Sequence, residues 1–217
     1  GSLRVGANVI HLATMKTDVL ARVAGSLYTL FEGLLDERST DAYNRLDEAF
    51  VEALALEREI AGGVFAVMDG VVAGEGPCPR CPVPHTANVL LASADPVALD
   101  TVAANMMGIA PESVPYLRMA QERGLGTGEL SGIEVVGDDV GDSALSFRID
   151  DNSVGAHMRL REATRNGRPP SAFARLASFV YHDIYWFRAV REPVVREFRE
   201  SGWGKLFESY RTQAGGE

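Results

Sequence analysis

The two cysteines of this 217-residue chain lie in one proline-rich stretch, "GEGPCPRCPVPH", as Cys78-x-x-Cys81 with His85 four residues on. Two thiolates and an imidazole are three of the four ligands a tetrahedral zinc site needs. An open fourth position suits catalysis, and a fourth ligand such as His11 closes the site. Two chains giving two cysteines each would instead make an all-thiolate site for an iron–sulfur cluster. The competing reading is a loop stiffened by four prolines, because Cys-x-x-Cys zinc sites usually come with a second ligand pair and none is evident. A thioredoxin-like motif normally opens a helix, which the prolines oppose. If the loop carries chemistry, its metal ligands are Cys78, Cys81 and His85, and the cofactor is zinc or an iron–sulfur cluster. His157 and His182 stand apart from this stretch, and His182 reads as a packed residue among aromatics.

Other polar groups gather where strands are expected to end. Thr14, Lys16, Thr17 and Asp18 follow a strand expected at 7–12. "MDGVVAGEGP" offers Asp69 and Glu75 among three glycines, whose backbone freedom permits an anion-binding nest and whose carboxylates could hold Mg²⁺ or act as acid and base. It is not a P-loop, since the Gly-Lys-Ser/Thr ending is absent. In "ASADPVALD", Ser93 and Asp95 precede a helix whose free N–H groups suit an anion, while Asp95-Pro96 is also a structural capping signal. Asp100 falls in the second turn of that helix. Ligands of open α/β sheets collect beyond the carboxyl ends of the strands. If the three strands are parallel neighbours, Lys16, Asp69, Glu75, Ser93, Asp95 and Asp100 share one rim that binds a small anionic ligand or a metal ion. No Gly-x-Ser-x-Gly elbow and no Ser-His-Asp set can be singled out, so no catalytic residue is assigned.

These groups must be carried by a scaffold. "ANVIHL", "GGVFAVMDG", "NVLLAS" and "GIEVVG" read as buried strands, with "LSFRI" as one more. Helical spacing covers 19–34 and 42–59, and "DPVALDTVAANMMG" is a helix capped by Asp95 and stopped by Gly108. A further helix ends at Gly124. Continuous apolar strands alternating with helices predict an α/β domain over 1–149, with a largely parallel sheet and helices on its faces. The polar stretch 150–170 then leads to a C-terminal helical extension, so 150–217 forms a linker and an aromatic-rich tail.

Charge divides the same way. Residues 1–158 hold 10 Lys/Arg against 23 Asp/Glu, a balance of −13, whereas 159–217 hold 11 against 7. An acidic body argues against nucleic acid. The tail mixes Arg with ten of the seventeen aromatics, which suits docking on the body, on a second copy or on a partner subunit. A membrane surface is disfavoured by the acids interleaved there. Two cysteines make no disulfide framework, and the opening residues lack the apolar run of a secretory leader, so the cytoplasm is expected.

In order and spacing, "VMDGVVAGEGP", "LLASADPVALDTVAANMMGI" and "VPYLRMAQERGLG…IEVVG" resemble the family called domain of unknown function 362, over roughly residues 7–138. The resemblance implies an α/β fold with a further α/β segment ahead of the first motif, and fusion of some members to ferredoxin-type modules implies redox or metal-linked chemistry. Asp69, Glu75, Ser93, Asp95 and Asp100 match the family pattern. Two motifs depart from it. Asp18 replaces a histidine in "HLATMKTD", and Tyr28 and Thr29 replace Lys-Asn in "GSLYTL". The thiol pair is particular to this sequence. Three readings follow: a ligand-binding domain, with or without enzymatic activity; a metal or redox accessory protein; and a non-catalytic interaction subunit whose tail provides the contact.

Overall fold

Strand β1 (Asn8–Asp18) runs well past the end expected from its apolar start. At its end the Asp18 carboxylate accepts the N–H groups of Leu20 and Ala21, both at 2.8 Å, and turns the chain back. Arg22 sits at φ 68°, and β2 (Arg22–Ala24) pairs antiparallel with β1. This Asx turn overrides the helical periodicity that starts at Val19, because a local side-chain acceptor competes with helix hydrogen bonds. Helix α1 (Ser26–Leu34) therefore begins only after Gly25, and α2 (Leu46–Ile60) follows.

The computed structural model describes residues 4–35, 42, 45–78, 82–138, 145–149, 176 and 179–214. Cys81, His157 and the connection 150–175 lie outside the described residues, as does the side chain of His182.

β3 (Gly63–Glu75) and β4 (Val83–Ser93) complete a four-stranded sheet of order β2-β1-β3-β4. Only β1 and β3 are parallel; β2 and β4 are antiparallel to their neighbours. The expectation of a largely parallel sheet is thus corrected. Gly76 to Pro82 is too short for a crossover, which takes about a dozen residues or more, so β4 returns as a hairpin arm. The glycine-bearing stretch after Asp69 is not a loop but the second half of β3, with a register shift between Gly70 and Val72.

α3 (Pro96–Met106) and α4 (Pro115–Glu122) join α1 and α2 on one face of the sheet. Alternation sends His11, Ala13, Met15, Ala66 and Met68 into that layer. Phe50 of α2 is wholly buried, with Tyr28, Phe31 and Tyr116 ring centroids 5.1–5.7 Å away. Burying such a side chain contributes roughly 1.5–3 kcal/mol. On the opposite face Ile10, Leu12, Phe65 and Leu90 stay exposed. The strands read as continuous apolar runs because both faces are apolar, although helices α1–α4 cover only one.

The expected strands at 132–137 and 145–149 do not join the sheet. Leu130–Gly132 forms a 3-10 turn, and the N–H groups of Leu145 and Phe147 bond instead to the carbonyls of Met106 and Met107 at the end of α3. The tail is helical: a widely wound segment, Val180–Arg191, leads into α5 (Glu192–Glu200) and α6 (Gly202–Ala214). It lies on the outer sheet face at the Lys16 end. Trp203 donates to Asn88 Oδ1 at 2.8 Å, Arg191 Nε donates to the Pro82 carbonyl at 3.1 Å, and Trp186 is buried beside Val83. No described helix is long and apolar enough to cross a membrane.

Candidate functional site

The sheet register separates the residues expected on one rim. Lys16 pairs with Gly74 at one end of the sheet, while Ser93 pairs with Ala66 at the other. Asp69 lies mid-strand and exposed, between Thr14 and Leu90, and its Oδ1 accepts the Val71 N–H at 2.8 Å. Ser93 Oγ accepts the Asp95 N–H. Asp95 itself is the α3 cap: Oδ1 takes the N–H groups of Val97 and Ala98, and Oδ2 takes that of Thr127 at 2.8 Å. With both oxygens engaged, this helix start is closed by its own chain. The single shared rim does not form, because β4 is antiparallel.

Asp100 points the other way, into the core. Its carboxylate accepts the N–H groups of Ser26 (2.6 Å) and Leu27 (3.1 Å) at the start of α1, and the Tyr116 hydroxyl at 3.4 Å. Burial outweighs those bonds and pushes the carboxyl up to about 6. Burial, and then the nearby Asp100, push the Tyr116 hydroxyl up as well. Gly25 makes the approach possible, since a Cβ there would lie 2.3 Å from Asp100 Oδ1. Beside this cluster His11 bridges Ser26 Oγ and Glu57 Oε1, both at 2.7 Å. The Ser–His–Glu order resembles a nucleophile relay, yet all three side chains are buried. The set ties β1 to α1 and α2, and it uses both ring nitrogens of His11, the suggested fourth zinc ligand. Sequence separations of 15 and 46 residues hide it from a reading of local motifs.

At the Lys16 end, alternation sends Lys16 to the outer face and Glu75 to the helix side. Glu75 Oε1 accepts both the backbone N–H and Nε of Arg148 at 3.0 Å, and Oε2 meets His85 Nε2. Burial pushes the Glu75 carboxyl up, but the bonds from His85 and Arg148 prevail and hold it at about 2. The Arg148 guanidinium lies over the Trp186 ring, and the His85 ring packs 4.9 Å from Phe147. Cys78 is buried, with the Thr17 hydroxyl bonded to the Gly76 carbonyl and 3.7 Å from Sγ. Among the described residues no group of three His, Cys, Asp or Glu is placed to hold a metal ion.

Lys16 opens instead on a cleft of about 360 Å³ between the outer sheet face and α5–α6. Arg191, Arg199 and Glu208 share its lining, and Val72, Val195, Phe198 and Phe207 supply apolar walls. The side chains of Lys16 and Arg199 make no hydrogen bond or salt bridge among the described residues. Sequence reasoning misses the helical residues of this cleft; their one signal is Arg interleaved with aromatics, which reads as a docking pattern. A second groove, about 350 Å³, follows the free edge of β4 and carries Glu134 and Asp138 but no basic side chain. The two cavities thus differ in the sign of their charge.

The positions that depart from the resembled motifs have local roles. Tyr28 packs in the core on Phe50, the Thr29 hydroxyl donates to the Gly25 carbonyl at 2.9 Å, and Asp18 caps the β1 turn. Residues 6–105, from β1 through nearly all of α3, match the family model described as Domain of unknown function (DUF362). No curated protein matches the chain, and no solved structure does.

Proposed function

We propose that this chain, a DUF362-family member over residues 6–105, binds a small molecule with an anionic head and an apolar body in the cleft under α5–α6. The observation that carries the reading is the convergence of Lys16, Arg191 and Arg199 on one apolar-walled space. Its size falls in the range of small-molecule sites, about 300–1,000 Å³. A carboxylate or phosphate head fits the cations, with Arg giving paired N–H donors and Lys a point charge. Glu208 leaves three cations against one acid, which favours a head of low charge. Phe198, Phe207 and Val195 fit an alkyl or aryl body. Asp100 and Glu75, the carboxyls held near 6 and 2, face away from the cleft, so the reading is of binding and assigns no reaction.

Titration calorimetry with inorganic phosphate, octanoate, monooctyl phosphate and neutral octanol tests this. The amphipathic anions should bind more tightly than phosphate or octanol. Lys16→Gln and Arg199→Gln should each weaken them about tenfold, the loss of about 1.4 kcal/mol expected of one charge-assisted contact. Equal binding of octanol and octanoate, or unchanged affinity in both variants, would refute it.

A further inference from the structure

The α5–α6 hairpin covers only the Lys16 end of the outer sheet face. Toward the other end Ile10, Leu12 and Leu90 are 61%, 74% and 69% exposed, with Phe65 beside them. Register makes this a continuous patch, since Ile10 lies opposite Phe65, and the Leu12–Val67 pair is followed by Thr14–Asp69, with Leu90 across from Asp69. Its middle charge is the single acid Asp69. The tail exposes a matching set: Phe179, Val180, Ile184, Tyr185 and Phe187, with Arg188 among them. Trp186 is buried toward the body.

We propose that the bare half of the sheet face is covered by the exposed side of Val180–Arg191 from a second copy of this chain, reciprocally, in a two-fold dimer. Three observations select this occupant. The same face already accepts the helical tail at its other end, so helix-on-sheet packing simply continues across it. Charge is complementary, because the acid at the centre of the patch belongs to an acidic body while the helical segment carries Arg188 and belongs to a tail of net +4. Area also suffices. The two patches together expose on the order of 1,000 Å² per copy, against the roughly 800 Å² per partner of a standard stable interface. A two-fold arrangement uses both patches of each copy and closes, whereas a one-way contact would leave apolar surface at each end.

Light scattering after gel filtration of the full chain, with sedimentation on phosphatidylcholine/phosphatidylglycerol vesicles, tests the proposal. The wild type should elute at twice the 23.4 kDa chain mass and stay off vesicles. The double variant Leu12→Arg/Leu90→Arg should halve the mass, as should Ile184→Arg/Tyr185→Arg, with far-ultraviolet dichroism unchanged because all four side chains are exposed. Mixing the two variants should restore dimers, because one intact sheet–helix contact remains between them. A monomeric wild type, failure of the mixture to pair, or a monomer that sediments with vesicles through the same residues would overturn it.

Discussion

Replacing Asp100 with asparagine should change how stability depends on pH, and by a calculable amount. Two effects compete at this carboxyl. Burial favours the neutral acid, whereas the N–H groups of Ser26 and Leu27 favour the carboxylate. Burial wins, raising the carboxyl from 3.8 to about 6. Because the folded value is the higher one, the folded state binds the extra proton. The contribution is therefore fully present below about pH 4 and is lost as pH rises through about 6. A shift of about two units at about 1.4 kcal/mol each makes this about 3 kcal/mol. The asparagine variant has no such titration. Its amide orphans one buried N–H at a cost of about 1–3 kcal/mol, but that offset does not vary with pH. Urea unfolding of both proteins from pH 4 to pH 7.5 should show wild-type stability falling relative to the variant by about 2.5 kcal/mol, most of that total, across the window. Parallel curves would remove the burial argument. Wild-type stability rising with pH relative to the variant would mean that the α1 N–H groups outweigh burial.

Two further outcomes follow from the Lys16 end. Glu75→Gln removes a carboxyl lowered from 4.5 to about 2, whose stability is present above 4.5 and lost as pH falls through about 2. The wild type should therefore lose about 3 kcal/mol more than the variant between pH 5 and pH 2, read from acid-unfolding curves; equal losses would count against the His85 and Arg148 bonds. Gly76 sits at φ +93°, and a Cβ there would lie 2.4 Å from Trp186 Cζ2. In a Trp203→Phe background, Gly76→Ala should expose Trp186 and red-shift its emission, at a cost of about 1–3 kcal/mol. Unshifted emission would show that the ring does not pack there.

The element boundaries set by local chemistry were legible in the sequence. Asp95-Pro96 caps and opens α3, and Gly108, at φ +75°, ends it. The motifs around Asp69, Asp95 and Asp100 lie within residues 6–105, the stretch that matches the DUF362 family model. Asp18 was legible only as a polar residue; that it turns the chain into β2 and delays α1 follows from a side-chain competition that periodicity does not weigh. The apolar runs of β3 and β4 marked strands but not their direction, since an exposed apolar face reads the same as a covered one.

Direction then decided the site. The amino-acid order determined by itself that carboxylates, a lysine and thiols adjoin strands, because neighbouring residues stay neighbours in any fold. Which of them meet was settled only by pairing. A hairpin at Gly76–Pro82 reverses β4, and that reversal carries Ser93 and Asp95 to the far end of the sheet from Lys16. Alternation turns Glu75 away from Lys16, and a helical tail more than a hundred residues downstream brings Arg191 and Arg199 to it instead. Such contacts between distant segments cost chain entropy that packing alone repays, so they are written in the tertiary structure and not in any local stretch.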